Sequence, residues 1–157
     1  MLDVSALMEA LALVFSIEAI AWTVIGVAIG VGVGAIPGLS PAPAIALLLP
    51  LTFSLNLPAA LGLLIGVYKG GIYGGSISAI SFATPGTAES GATVIDGYKL
   101  MKAGKGKKAL HMSLYASVTG DAVSDVLTIL LAPALALIAL SFGPSERLWL
   151  MMLAISL

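Results

Sequence analysis

The chain has 157 residues, 59% of them hydrophobic and 10% charged, with a formal net charge of −1 and a mean hydropathy of +1.11. Soluble domains carry about 25% charged residues, so the composition describes a polytopic membrane segment. Cysteine is absent, which excludes disulfides, thiolate metal sites and cysteine nucleophiles.

Residues 2–17 interleave Leu2, Leu7, Leu11 and Val14 with Asp3 and Glu9. That pattern predicts an amphipathic helix lying in the membrane interface. It is not a cleavable leader, because its first charges are acidic. Residues 19–36 are the first predicted span, with Gly26, Gly30 and Gly34 on one face where another helix can approach. The GVGVG run has neither the spacing nor the strand–helix setting of a nucleotide loop.

From Ala19 to Tyr68 no side chain is charged, yet Gly34 to Pro43 reads GAIPGLSPAP. Its three prolines cannot continue a regular helix. Backbone freed at membrane depth must be wrapped in protein or line a wet cavity. Residues 37–58 are therefore expected to form a broken or re-entrant segment, with Ala44–Leu49 too short to span before Pro50. Residues 59–82 make a second span, interrupted by Lys69 and by the pairs Gly70–Gly71 and Gly74–Gly75. A second break, residues 83–98, opens with ATPGTAESG.

Five lysines between Lys99 and Lys108 predict a cytoplasmic loop by the positive-inside rule. AGKGKKAL lacks the hydroxyl residue and glycine spacing of a phosphate loop. Residues 109–142 form either one long membrane helix or a pair bent at Pro133, and GPSER a loop on the opposite side. Residues 148–157 begin a further span, too short to cross, which predicts a piece of a longer protein.

Two interrupted membrane segments in one chain point to a transporter's binding site. Helices that start after such breaks direct N–H groups and a positive dipole end at the site, which suits carboxylates or phosphates. The candidate substrate contacts are Gly34, Pro37, Gly38, Ser40 and Pro41 in the first break, and Thr84, Pro85, Gly86 and Thr87 in the second. Ser90 adds a hydroxyl there. Lys69 either attracts an anion, pairs with an acid or snorkels. Asp121 and Asp125, four residues apart on one helix face, are either solvated at the boundary or, if deeper, candidates with Glu89 for a coupling ion. His111 is the lone histidine and reads as interfacial. No acid–base pair or metal-spaced cluster accompanies these residues, so neither an enzyme nor a resident metal is expected.

Three runs, GAIPGLSPAPAIALLLPLTF, GVYKGGIYGGSISAI and ATPGTAESGATVIDGYKLMKAGKGKKAL, resemble the large membrane subunit of tripartite tricarboxylate transporters. The resemblance covers nearly the whole chain, in the family's order. It implies an all-α, polytopic helical membrane protein with discontinuous helices, the first of two related halves of a secondary transporter. It implies a cation-coupled carboxylate importer of the bacterial inner membrane, driven by H+ or Na+. Its partners would be a small membrane subunit and a periplasmic solute-binding protein, with no nucleic acid. Pro37, Gly38 and Pro41 match the first signature, and Tyr73, Gly74, Gly75 and Ser76 the second. Pro85, Gly86, Thr87, Asp96, Gly97 and Tyr98 match the third. The family commonly has asparagine where Ala83 stands, and small or apolar residues where Asp121 and Asp125 stand. An ion channel whose glycine-rich break supplies carbonyls, and an assembly subunit without a site, are the alternatives.

Overall fold

Ser16 opens the packed part of the chain. Its extended backbone and its hydroxyl, which accepts from Ala19 N–H at 3.3 Å, cap a new helix. In the computed structural model, which describes residues 4–156, the predicted interfacial helix is therefore shorter than expected. It is α1, Val4–Val14, and α2 starts separately at Ile17 and runs to Gly34. Leu2, Asp3 and Leu157 of the predicted segments lie outside the described residues. Among the described residues every regular element is an α-helix, with no strand.

The described residues form two units, one running to Tyr115 and one beginning at Ala116. In the first, α2 packs along α4, Leu57–Phe82. The predicted interruption of this second span by Lys69 and the glycine pairs does not occur. α4 is one helix of 26 residues, about 39 Å long. Its glycines are tolerated because their faces carry the contact with α2 rather than meeting water. A Cβ at Gly26 or Gly30 would overlap the carbonyl oxygen of Leu63 or Val67, and one at Gly34 that of Gly71. Reciprocally, Cβ atoms at Gly66 and Gly74 would lie 2.5 Å from Thr23 O and 2.6 Å from Val31 O. The two four-residue glycine repeats thus mesh backbone to backbone. Contacts advance in the same direction on both helices, so α2 and α4 run parallel.

Two parallel helices need a return connection, and α3, Pro41–Thr52, provides it. At about 18 Å it is too short to cross a bilayer. It starts with Pro41 against Gly71, halfway along α4. Its Ala44 then packs with Leu63 and Val67, and Leu48 with the same cluster, as the chain descends towards the start of α4. The expected stop at Pro50 does not occur. Pro50 lies in the last turn and the helix ends at Thr52, while Pro41 occupies the first turn, where its missing N–H has no intrahelical role. Asn56 then caps α4, accepting from Ala59 N–H at 3.0 Å. Its amide donates to Glu18 Oε2 at 2.6 Å, tying the start of α4 to the start of α2.

The second break is shorter than its predicted 83–98. Residues 83–90 are non-helical and α5 spans Gly91–Lys102. The basic stretch 99–108 is also mostly helical, because α6 begins at Gly106. Between them Lys105 N–H donates to Leu100 O at 2.9 Å and Gly104 N–H to Met101 O at 3.0 Å. Gly104 takes φ +74°. This is a Schellman turn, which closes a helix in very few residues, and Lys99 and Lys102 complement the α5 dipole.

α6 is a single helix, Gly106–Ser141, continuous through Pro133. α7, Pro144–Ser156, starts ahead of the predicted 148 because Pro144 is suited to a first turn. Within the second unit the described side chains of α6 and α7 face outward, large apolar ones included. Three helices are long and apolar enough to cross a membrane: α2, α4 and the Gly106–Ala136 part of α6.

Candidate functional site

After Phe82 the chain reverses. Ala83, at φ +58°, ends α4 in the left-handed conformation and donates its N–H to Ala79 O at 3.2 Å. Alanine is strained there by about 1–2 kcal/mol, whereas glycine, or asparagine with its short polar side chain, adopts it readily. The backbone thus gives a reason for an asparagine at this position other than ligand binding. Ala83→Gly is expected to raise stability by about 1 kcal/mol, read as a higher melting temperature in detergent. An unchanged or lower value would contradict the strain.

The reversed strand of chain returns along α4 to Gly75. Gly86 N–H donates to Gly75 O at 3.4 Å. A Cβ on Gly86 would overlap Gly34 O and lie 2.9 Å from Gly75 Cα and from Ser78 Oγ. A Cβ on Gly75 would lie 2.8 Å from Thr87 Oγ1. The last residue of α2 therefore touches the second break directly, and the two proline–glycine interruptions meet on one side of α4.

The meeting point opens into a pocket of about 360 Å³. Ser40, Pro41 and Ile45 line it from the first break and α3, Tyr68 and Ile72 from α4, and Thr87, Ala88 and Glu89 from the second break. Ser40 is the N-cap residue of α3, yet its hydroxyl makes no capping bond. The 87–90 turn is fixed by Ser90, whose hydroxyl donates to Thr87 O at 2.8 Å and accepts from Thr87 N–H at 3.3 Å. Ser90, 2% exposed, is thereby occupied within the turn and does not add the free hydroxyl that the sequence suggests. Thr87, 6% exposed, is the opposite case: its Oγ1 is sealed from solvent and has no hydrogen-bond partner among the described residues.

Of the residues singled out from the sequence, Ser40, Pro41, Thr87 and Glu89 line the pocket. Gly34, Gly75 and Gly86 form the backbone contact beside it, and Gly74 packs on Val31 and Ala35. Buried Ser76 lies on the same helix. Pro37 and Gly38 shape the first break. Gly38 has φ +78° with open space around its Cβ position, so its role there is conformational. Lys69 and Tyr73 are half-buried on α4, and neither they, Thr84 nor Pro85 line the pocket. Thr84 is exposed and donates to Phe82 O at 3.3 Å. Asp121 and Asp125 belong to the second unit, exposed and one turn apart on α6. His111, at the start of α6, is exposed.

Sequence reasoning missed Ser78, fully buried and donating to Gly75 O at 2.9 Å, and it missed Tyr68 and Ile72. The spacing of the latter two, one turn apart on α4, was a usable signal once Pro41 was placed against Gly71.

No solved structure matches the chain. An uncharacterized 52.8 kDa protein in the TAR-I ttuC′ 3′ region of Agrobacterium vitis is 39% identical over 136 residues. That alignment covers 87% of this chain and 27% of the relative, so the chain spans about a quarter of the relative's length. Residues 20–157 match the model of the family described as "Tripartite tricarboxylate transporter TctA family", which takes in both breaks, α2 to α7 and the pocket between them, and the chain belongs to that family.

Proposed function

We propose that the chain is part of the membrane permease subunit of a tripartite importer of tricarboxylates or related carboxylates. It lies in the bacterial inner membrane with residues 99–108 in the cytoplasm. It works with a small membrane subunit and receives substrate from a periplasmic binding protein. Uptake is driven by a cation gradient, and the chain supplies the first of two related halves.

The observation that supports this reading is the convergence of the two breaks on one pocket. Broken helices at a shared cavity are the form that substrate sites take in secondary transporters. The substrate sits between Ser40 and Pro41 on one side and Thr87 to Glu89 on the other. The Ser40 hydroxyl donates to its carboxylate oxygens, and the start of α3 offers a positive dipole end. Alternating access follows if the two breaks, locked through Gly34 and Gly86, move together.

The test is uptake of labelled citrate or succinate by proteoliposomes holding the complete membrane subunits, with and without the binding protein. The expected result is saturable accumulation that needs the binding protein and a cation gradient. Non-saturating flux, or a conductance without accumulation, would instead favour a pore.

A further inference from the structure

Five lysines fall between Lys99 and Lys108, and Asp96 is the one acid between Gly91 and Gly120. The fold gathers these cations at one corner of the first unit. α5 lies against the last turns of α4, where a Cβ on Gly97 would sit 2.7 Å from Ile80 Cγ1. The Schellman turn then starts α6 at Gly106, which is buried under the Met101 side chain. Lys99, Lys102, Lys105, Lys107 and Lys108 are all exposed on this fixed turn.

Helix stability accounts for only part of the cluster. Lys99 and Lys102 sit at the negative end of α5, and each has a neighbour. Lys99 Nζ lies 4.0 Å from Asp96 Oδ1, and Lys102 Nζ lies 4.9 Å from the centre of the Tyr98 ring. Lys107 and Lys108 occupy the first turn of α6, which contains no acid. A cation there faces the positive end of the helix and weakens it. Among the described residues no ion pair or ring contact engages Lys105, Lys107 or Lys108. Three exposed like charges without a counter-charge make a patch that attracts anions.

Position decides which anion. α4 and α6 both carry segments long and apolar enough to cross a membrane, and the corner lies between the end of one and the start of the other. Large apolar side chains stand exposed around it: Phe82 at the end of α4, Ile95 on α5, and Met112, four residues after Lys108 on α6. Apolar groups beside lysines suit the headgroup boundary of a bilayer, with rings and stems in the acyl region and ammonium groups outside it. We propose that this corner binds the phosphodiester headgroup of an anionic phospholipid, so that Lys105, Lys107 and Lys108 fasten the α5–α6 turn to the membrane surface. Clusters of roughly four to eight cations next to a spanning helix recognise anionic lipid in this way. The inference needs the chain to span a membrane, but not the carboxylate or cation chemistry proposed above.

The experiment titrates the purified complete membrane subunit, in a neutral detergent, with dioleoyl phosphatidylglycerol or dioleoyl phosphatidylcholine. Bound lipid is read by native mass spectrometry, alongside the melting temperature. Wild type is compared with the triple variant Lys105→Gln, Lys107→Gln, Lys108→Gln, and with Lys105→Arg, Lys107→Arg, Lys108→Arg, which keeps the charge. Each lysine near an anionic surface contributes about fivefold to binding. The glutamine variant should therefore bind phosphatidylglycerol about a hundredfold more weakly at this site, the arginine variant should match wild type, and phosphatidylcholine should distinguish none of them. Phosphatidylglycerol should raise the melting temperature of wild type more than that of the glutamine variant. Without lipid the glutamine variant should melt no lower than wild type, since it takes cations away from the positive end of α6, and this separates a lost site from a lost fold. Equal binding of phosphatidylglycerol by wild type and the glutamine variant would overturn the proposal. So would equal binding of the two lipids by wild type, or displacement of phosphatidylglycerol by inorganic phosphate at equal concentration, which would assign the corner to a free anion. Each of these results leaves the transport reading standing.

Discussion

Gly86→Ala should abolish most saturable uptake, lowering it by about tenfold or more, and destabilise the chain by about 2–3 kcal/mol. The added methyl would overlap the carbonyl oxygen of Gly34 and meet Gly75 Cα at 2.9 Å. Both obstacles are backbone, held at the end of α2 and within α4, so neither can swing aside as a long side chain would. The second break must then lift off α2, and Thr87 moves with it, since Gly75 lies under its side chain. Gly91→Ala is the matched control, because nothing lies within 4 Å of its Cβ position. Uptake kinetics and melting temperature, measured for both variants at equal membrane content, check this. Equal kinetics for Gly86→Ala and Gly91→Ala would mean that the contact between the breaks has no part in transport.

The second large effect belongs to the α2–α4 seam. Gly30→Ala should destabilise the first unit by about 2–3 kcal/mol. Its methyl would overlap Val67 O and lie 2.8 Å from Gly71 N. Relief requires the helices to separate along a contact meshed at every fourth residue, so several close approaches loosen together. Gly32→Ala, two residues on, meets nothing within 4 Å. It should be neutral or stabilising by up to about 1 kcal/mol, because alanine is the better helix former. Opposite shifts in melting temperature for two identical substitutions in one helix are the expected signature. Shifts of the same sign would contradict the packing.

The repeat of Gly26, Gly30 and Gly34 was legible as a contact face, but its partner was not identified. The matching repeat on α4, Gly62, Gly66, Gly70 and Gly74, was hidden among the adjacent glycines 71 and 75. Those pairs looked like interruptions because glycine propensity is a local property, while the helix is held by its neighbour. Capping explains the remaining boundary differences. Ser16 and Gly104 each mark a helix end through a bond or a backbone conformation, and charge or hydropathy patterns carry neither.

The pocket was legible where chemistry and chain breaks coincide, since Ser40, Pro41, Thr87 and Glu89 all line it. It was not legible where only position counts. Lys69 attracted notice as a charge in an apolar run, yet it is half-buried on α4 and does not line the pocket that Tyr68 and Ile72 line. Ala83 stands where the family commonly has asparagine, and its left-handed backbone gives a conformational reason for that residue. Asp121 and Asp125 stood out by charge alone, and their exposure on α6 adds no feature of an ion site.

The central claim is that both breaks contribute walls to one substrate pocket; this chain has no cysteine, so single cysteines placed in it measure the claim once any cysteine elsewhere in the complete subunit is replaced. Ser40→Cys and Ala88→Cys, one from each break, should react with a hydrophilic thiol reagent in the complete subunit. A transported carboxylate should protect both with the same half-saturating concentration, while Phe53→Cys, exposed in the α3–α4 turn, stays unprotected. Protection of one pocket cysteine without the other, or of neither at concentrations that saturate uptake, would contradict a shared pocket.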